Sequence, residues 1–434
     1  MVWTNWTGNV KWTPEAVATP ASLDELVSVV TKAKKLRVVG SAHSFNAQMA
    51  TEHTLLDLRN LGRFLDIDVE RRRVRVEAGV PLHVLYPALD AIGLALPAIG
   101  GITTQSAAGA VSTGTHGSGL SLATVSSSVL AVTLVTADGR VLEIDSGELL
   151  AAARLSLGAL GVVYAVTLQC VPRTNMDKRS WIGTLEEALS PALRENNLHY
   201  ELDWYPFGDK AQMTTTNPTT APATKWVQER EWLNDVVLVD GVFGTLERIG
   251  AAFPRVMPYF LQVPALLSGS TPSSQVDTWW RSLTGTPSTF RAFDVEYSIP
   301  IDRTEEGVAA LVRIVNEESK SKPAYFANLP ANIRFTGKDA DVMLSGVSDG
   351  PRCYIDIPSF TGAPSPDRFF KKLEDALYPM GARPHWGKQF YRNPTSQFPR
   401  FADVARLRKE LDPEGKFVNS WLETLLSGGP FDGR

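Results

Sequence analysis

The sequence predicts an α+β protein of two domains, and three observations carry that reading. Its 434 residues exceed the roughly 250–300 at which a single hydrophobic core stops growing. Up to Pro172 the chain mixes hairpins with amphipathic helices, the pattern of an α+β unit. Beyond it the texture changes: residues 173–290 are rich in Trp, Thr and Pro, with irregular spans such as "MTTTNPTTAPATK", before helices and strands resume. The expected division is 1–172, a sheet-containing 173–380, and a C-terminal segment 381–434 that holds the densest polar motif, "RPHWGK". No internal repeat or low-complexity tract interrupts it.

In chain order, "SLDELVSVVTKAKK" places Leu23, Leu26, Val27 and Val30 at helical spacing, with Ser22 as N-cap and Glu25 three residues on. "RVVG" is a short strand. "FLDIDVERRRVRVEAG" alternates as a hairpin. "PLHVLYPALDAIG" is a helix opening near Pro81 and stopping at Gly93. "LAVTLVTADGRVLEID" is a second hairpin turning at Asp138-Gly139, and "ALGVVYAVTLQCVP" is an apolar strand. After the irregular region, "FRAFDVEYSIPID" reads as a strand. A helix follows with Val308, Leu311, Val312 and Val315 on one face. "ANIRF", "VMLSGV" and "CYIDIPSF" read as strands, and "SPDRFFKKLEDALYP" as a helix capped by Ser365 with Pro366 at its first position.

Composition narrows the function. Apolar residues make up 44% and charged residues 21%, with net charge −4, so the chain reads as folded and soluble, without the basic stripe of a nucleic-acid binder. No apolar run reaches the ~18 residues of a membrane span, and the N-terminus lacks a signal-peptide pattern. Cys170 and Cys353 lie far apart without a CxxC, which fits buried thiols in a reducing compartment; a cytoplasmic location is the expectation. No metal-ligand spacing stands out.

Two Gly-rich segments carry chemistry. One is "GSAHSF", with Gly40, Ser41, Ala42, His43, Ser44 and Phe45. The other runs from Ile99 to Gly119 and includes Gly100, Gly101, Ser106, Gly109, Thr113 and "GTHGSG" (Gly114, Thr115, His116, Gly117, Ser118, Gly119). Without a Cβ, glycine lets backbone N–H groups approach an anion such as a dinucleotide pyrophosphate. The Rossmann fingerprint G-x-G-x-x-G fails at both places, so the expected grip is made by loops, and an NAD-dependent dehydrogenase is disfavoured.

Taken together, "RVVGSAHSF", "GTHGSG", "SLGALGVV", "RPHWGK" and "LDPEGKFVNSWL", in this order and at these separations, resemble the sugar-lactone and alditol oxidases of the vanillyl-alcohol-oxidase (PCMH-type) flavoproteins. The resemblance spans nearly the whole chain and is weakest between about 175 and 290. It implies that the N-terminal domain and the C-terminal segment hold FAD together, under a cap domain formed by the middle. It implies that His43 joins the flavin covalently, that the backbone of Gly114–Gly119 holds pyrophosphate, with the Thr115 and Ser118 hydroxyls as extra donors, and that Gly158, Gly161 and Val162 of "SLGALGVV" line the ribityl or adenine part. For His116, bracing the loop is preferred to facing the flavin. The small residue matched at Gly100 implies access for O2 and release of hydrogen peroxide; a glycine needed for positive φ is the other reading.

The expected reaction removes hydride from a CH–OH carbon of an aldono-1,4-lactone of the L-gulono or D-arabinono type. Such a site needs a proton acceptor and polar groups that orient hydroxyls. "HWGK" offers His385 and Lys388, and the strand "NIRF" offers Arg334, with Asn332 on the same face. Lys388 near another cation is expected to have a lowered pKa. The related enzymes usually carry Glu where this chain has Asn332, which leaves lactone against alditol open; Asp356 could restore the lost charge. The alternatives are an alditol oxidase, a lactone dehydrogenase with another electron acceptor, and a non-catalytic flavin or sugar binder.

Overall fold

The computed structural model describes residues 1–225, 227, 249–250, 252–267, 269–285, 291–339 and 341–431. Up to Pro172 the elements follow the sequence closely. Helix Leu23–Lys32 starts at Ser22, whose side chain accepts from the Glu25 N–H. Strand Leu36–Val39 lies in a parallel three-stranded sheet beside Thr54–Asp57. The hairpins Phe64–Asp68/Arg73–Glu77 and Val129–Val135/Val141–Ile144 join strand Val162–Gln169 in an antiparallel five-stranded sheet. Helix Leu82–Ala91 ends before Gly93, whose φ of +78° suits a residue without Cβ.

From Asn175 onward one sheet dominates. Among the described residues it has eight strands, in the order Ser273–Thr278, Asn175–Thr184, Lys210–Thr219, His199–Trp204, Ala331–Thr336, Arg352–Phe360, Ala292–Pro300, Arg383–Pro384. Every pairing in it is antiparallel. Side chains alternate across a strand. Val295, Tyr297, Ile299, Ile333 and Ile355 are therefore buried on one face, against helices Thr304–Lys320 and Asp367–Leu377. Gly307 marks how close that packing is: a Cβ there would meet Ile299 Cδ1 at 2.3 Å. The opposite face is polar.

Three local expectations change. The span "MTTTNPTTAPATK" is not irregular throughout: Met213 to Thr219 belong to strand Lys210–Thr219, paired on both sides in the large sheet. "VMLSGV" is no strand but a run of turns. Asp339 explains the turn, because its carboxylate accepts from Thr124 Oγ1 and Ser345 Oγ, both at 2.6 Å, and its N–H donates to the Val347 carbonyl. Helix Asp367–Leu377 begins one residue later than expected: Pro366 occupies the cap position, and Ser365 Oγ accepts from the Asp367 N–H at 3.3 Å. Among the described residues no helix is long and apolar enough to cross a membrane. Cys170 and Cys353 are buried and unpaired with each other.

Candidate active site

A cleft with about 1070 Å³ of empty space, part of it open to solvent, runs beside the loop that follows strand Leu36–Val39. Gly40 to Phe45, Ser106, Gly109, Thr113, Gly158 and Gly161 line it, together with His385 and Lys388. The loop is clamped from both sides. Asn5 Nδ2 donates to the Ser44 carbonyl at 2.9 Å and Asn9 Nδ2 to the Phe45 carbonyl at 2.8 Å. Across the loop, Asn46 Nδ2 donates to the carbonyls of Trp386 and Lys388, each at 2.8 Å, and the Phe45 N–H to that of Gly387. Ala42 adopts φ +54°, a strained turn for a residue with a Cβ. His43 faces the cleft next to Trp6, ring centroids 5.4 Å apart. Burial lowers its pKa to about 4, so its imidazole is neutral at physiological pH.

Arg37 forms a buried cationic wall of the cleft. Its guanidinium donates to the carbonyls of Gln48, Leu157 and Phe417, and no ion pair neutralises it among the described residues. Burial without a carboxylate lowers its pKa to about 10, still charged at neutral pH. An uncompensated buried cation needs an anionic partner.

At the far end of the cleft the polar face of the large sheet begins. Lys388 Nζ donates to Asp294 Oδ2 at 2.6 Å, with Asp356 Oδ2 at 3.8 Å and Glu296 Oε2 at 4.0 Å. His116 Nε2 lies 3.2 Å from Glu296 Oε1, and its ring stacks on Tyr354 at 3.7 Å. Arg334 Nε donates to Glu201 at 3.1 Å, and Asn332 Nδ2 to Asp203 at 2.8 Å. The electrostatics follow from crowding. Burial raises the pKa of Asp356, and the neighbouring Asp294 adds to it. Burial acts on Glu296 in the same sense, yet His116, Lys388 and His385 together hold it well below the ordinary carboxylate range. Burial lowers His385 to about 3; its Nδ1 accepts from the Gly387 N–H, which leaves Nε2 as the protonated nitrogen.

Comparison with known proteins now decides the family. The family model described as D-arabinono-1,4-lactone oxidase matches residues 166–425, and that described as FAD binding domain matches residues 14–145. The chain belongs to the D-arabinono-1,4-lactone oxidase family. An L-gulono-1,4-lactone dehydrogenase of Mycobacterium tuberculosis is 31% identical over 98% of this chain and 99% of its own. An alditol oxidase of a Streptomyces species is also 31% identical, over 98% and 99%. A solved solvent-stable cholesterol oxidase shares the fold, with TM-score 0.81 at 18% identity over 98% of this chain and 97% of its own.

This member of the lactone oxidase family is therefore an FAD-linked oxidoreductase acting on CH–OH groups. The cleft fits a dinucleotide on its own evidence. Arg37 offers unneutralised charge, and Gly40 keeps the backbone close: a Cβ there would meet Ser106 Oγ at 2.3 Å.

Within this family frame several expected residues change role. Half of the backbone N–H groups of the Gly114–Gly119 segment are already hydrogen-bonded within the protein. The N–H groups of Gly114, Thr115 and Gly119 already donate to Val111, Ala110 and Phe335. Thr115 Oγ1 bonds Gln105, and Ser118 Oγ donates to the Tyr200 carbonyl while accepting from the Phe335 N–H. The segment stitches the first part of the chain to the large sheet, and His116 braces it through Glu296. Val162 is buried in its strand and does not line the cleft. Gly100 is kept to glycine by packing: a Cβ there would lie 2.5 Å from Thr115 Cγ2, and its φ is not positive. Gly101 is the open neighbour, its Cβ position 3.6 Å from Arg334 Nη2.

Lys388 is also reversed. Burial opposes its charge, but Asp294, Asp356 and Glu296 raise its pKa, so it stays a cation and cannot act as base. Arg334 is likewise held charged against burial by Glu201, Glu296 and Asp356. Sequence reasoning missed Arg37, Glu201, Asp203, Asp294 and Glu296. The last two were signalled by "DVEYSI", where two acids alternate with Val295, Tyr297 and Ile299 on an apolar strand.

Proposed function

We propose that this enzyme oxidises a CH–OH carbon of an aldono-1,4-lactone of the L-gulono or D-arabinono type. The observation that carries the reading is Lys388, ringed by Asp294, Glu296 and Asp356 in the wall of the cleft that His43 also lines. FAD, when bound, supplies the hydride acceptor. Lys388 donates a hydrogen bond to the substrate oxygen, where charge builds as hydride leaves. Arg334 orients a second oxygen. Asp356 takes the hydroxyl proton on Oδ1, which accepts no hydrogen bond among the described residues. A raised carboxyl pKa brings such a base nearer to working pH.

Dioxygen is the proposed electron acceptor, giving hydrogen peroxide, in keeping with the oxidase name of the family. A stopped-flow screen of flavin bleaching over lactones, with peroxide release measured in air, tests both points. Bleaching by L-gulono- or D-arabinono-lactone without peroxide would make the enzyme a dehydrogenase. Alditols are the second reading, supported by the acceptor-rich sheet face, where Asp294 Oδ1, Asn332 Oδ1 and Asp356 Oδ1 all lack donors among the described residues.

His43 is the proposed covalent anchor of FAD. The reading rests on its place in the cleft wall, its neutral ring, and the small side chains of Ser41, Ala42 and Ser44 around it. Acid precipitation tests it: flavin should stay with the wild-type chain and leave His43→Ala.

A further inference from the structure

The register of the large sheet sets polar residues in a line across five adjacent strands. Glu296 pairs with Asp356, Asp356 with Asn332, Asn332 with Asp203, and Asp203 with Gln212. Directly paired residues project to the same face, so this row runs sideways across the polar face, away from Lys388. Strands lie about 4.8 Å apart, so the row spans about 19 Å, and Asp356 and Asp203 stand about 10 Å apart. The near end holds the proposed chemistry. The far end is unused by it.

That far end is built for donors. Asp203 has no ion-pair partner among the described residues; its carboxylate accepts from Asn332 Nδ2. Burial, with Glu201 beside it, raises its carboxyl to about 6. Gln212 is held from the other side by Tyr205, whose hydroxyl donates to Gln212 Oε1 at 3.3 Å. Between the two ends, Asn332 Oδ1 and Asp356 Oδ1 are buried acceptors without a donor among the described residues, and Asp356 is only 8% exposed. Buried acceptors left unmatched are costly, and hydroxyl groups of a substrate lying along the row would match them. A five-membered lactone ring at Lys388 covers the near half only. An open polyol chain extends further along it.

We propose that Asp203, aligned by Asn332 and paired in register with Gln212, forms a distal subsite that binds the terminal hydroxyls of an extended polyol and so reads substrate chain length. The inference rests on the proposed function for its near end, and its test is separable from it. Binding is measured by calorimetry on the FAD-loaded enzyme after chemical reduction under argon, which cannot accept hydride. The probes are the alditols from glycerol to sorbitol. In the wild type, affinity should rise with each added carbon up to sorbitol. A hydrogen bond to a charged group is worth about 10- to 100-fold in binding. In Asp203→Asn and Asp203→Leu the preference for sorbitol over glycerol should fall by about that factor, with Asn keeping the side-chain volume should Leu fail to fold. Stopped-flow work on the oxidised enzyme should show the change in KM for sorbitol rather than in kcat. An unchanged preference, or an equal loss for every chain length, overturns the subsite. If the preference collapses as expected while no lactone or alditol bleaches the oxidised flavin, the subsite stands and the proposed oxidation falls.

Discussion

Lys388 shows how position overrides residue type. A lysine beside a histidine and an arginine reads as a base with a lowered pKa; three carboxylates make it a fixed cation instead. Removing a donor aimed at developing charge typically costs about 100- to 1000-fold in turnover, so Lys388→Ala should slow flavin reduction by that order while FAD stays bound. Rapid-mixing absorbance measures it, and a near-wild-type rate would place the chemistry elsewhere. Asp356 gives a pH test. Its carboxyl is raised, chiefly by burial, so the proton-accepting form grows as pH rises. The acid-side limb of kcat should therefore flatten in Asp356→Asn along with a large loss of rate. His199 gives a stability test of opposite logic. Burial holds it at about 4, against 6.5 unfolded. Its contribution is full above pH 6.5 and is lost as pH falls toward 4, because the unfolded chain takes a proton that the fold refuses. In chemical denaturation, wild type should lose about 1.4 kcal/mol per pH unit through that window relative to His199→Gln.

Among elements, the strand Ala292–Pro300 and the loop Gly114–Gly119 depend on each other. The alternation of "DVEYSI" is legible in the sequence and puts Asp294 and Glu296 on one face, but nothing local says that this face meets His116. That contact joins positions far apart in the chain, and only the fold supplies it. The hairpins were legible because period-2 patterns and an Asp-Gly turn are local signals. "VMLSGV" misleads for the same reason: its β-branched, apolar look is local, while Asp339, which curls it, works through Thr124 in another part of the molecule. Gly117 tests the coupling of the two elements. A Cβ there would stand 2.5 Å from the Ile99 carbonyl oxygen, which is backbone and cannot swing away. Gly117→Ala should cost about 1–3 kcal/mol, by thermal unfolding, and should lower turnover as His116 leaves Glu296. A variant with unchanged melting and unchanged rate would show that the loop has slack.

The molecule as a whole is closed by its C-terminal segment. The Leu36 N–H donates to the Lys416 carbonyl, Arg37 to that of Phe417, and Asn419 Nδ2 to those of Ala47 and Ala50. Lys416 Nζ reaches the carbonyls of Val30 and Ala137. The motif "LDPEGKFVNSWL" stood out in the sequence by its likeness to related enzymes, but its partners lie near the other end of the chain and no periodicity reveals them. A chain ending at Leu411 should keep much of its secondary structure by circular dichroism yet lose FAD on gel filtration; retained flavin would mean that the clamp is dispensable. Asn46 and Arg37 hold carbonyls that follow residue 385 in the chain. During synthesis, then, the walls of the cleft emerge from the ribosome first and wait, unmatched, for the stretch that completes them. Cofactor capture is set to be among the last events in the making of this protein, because the cleft has no complete wall until the residues from Trp386 to Asn419 have been made.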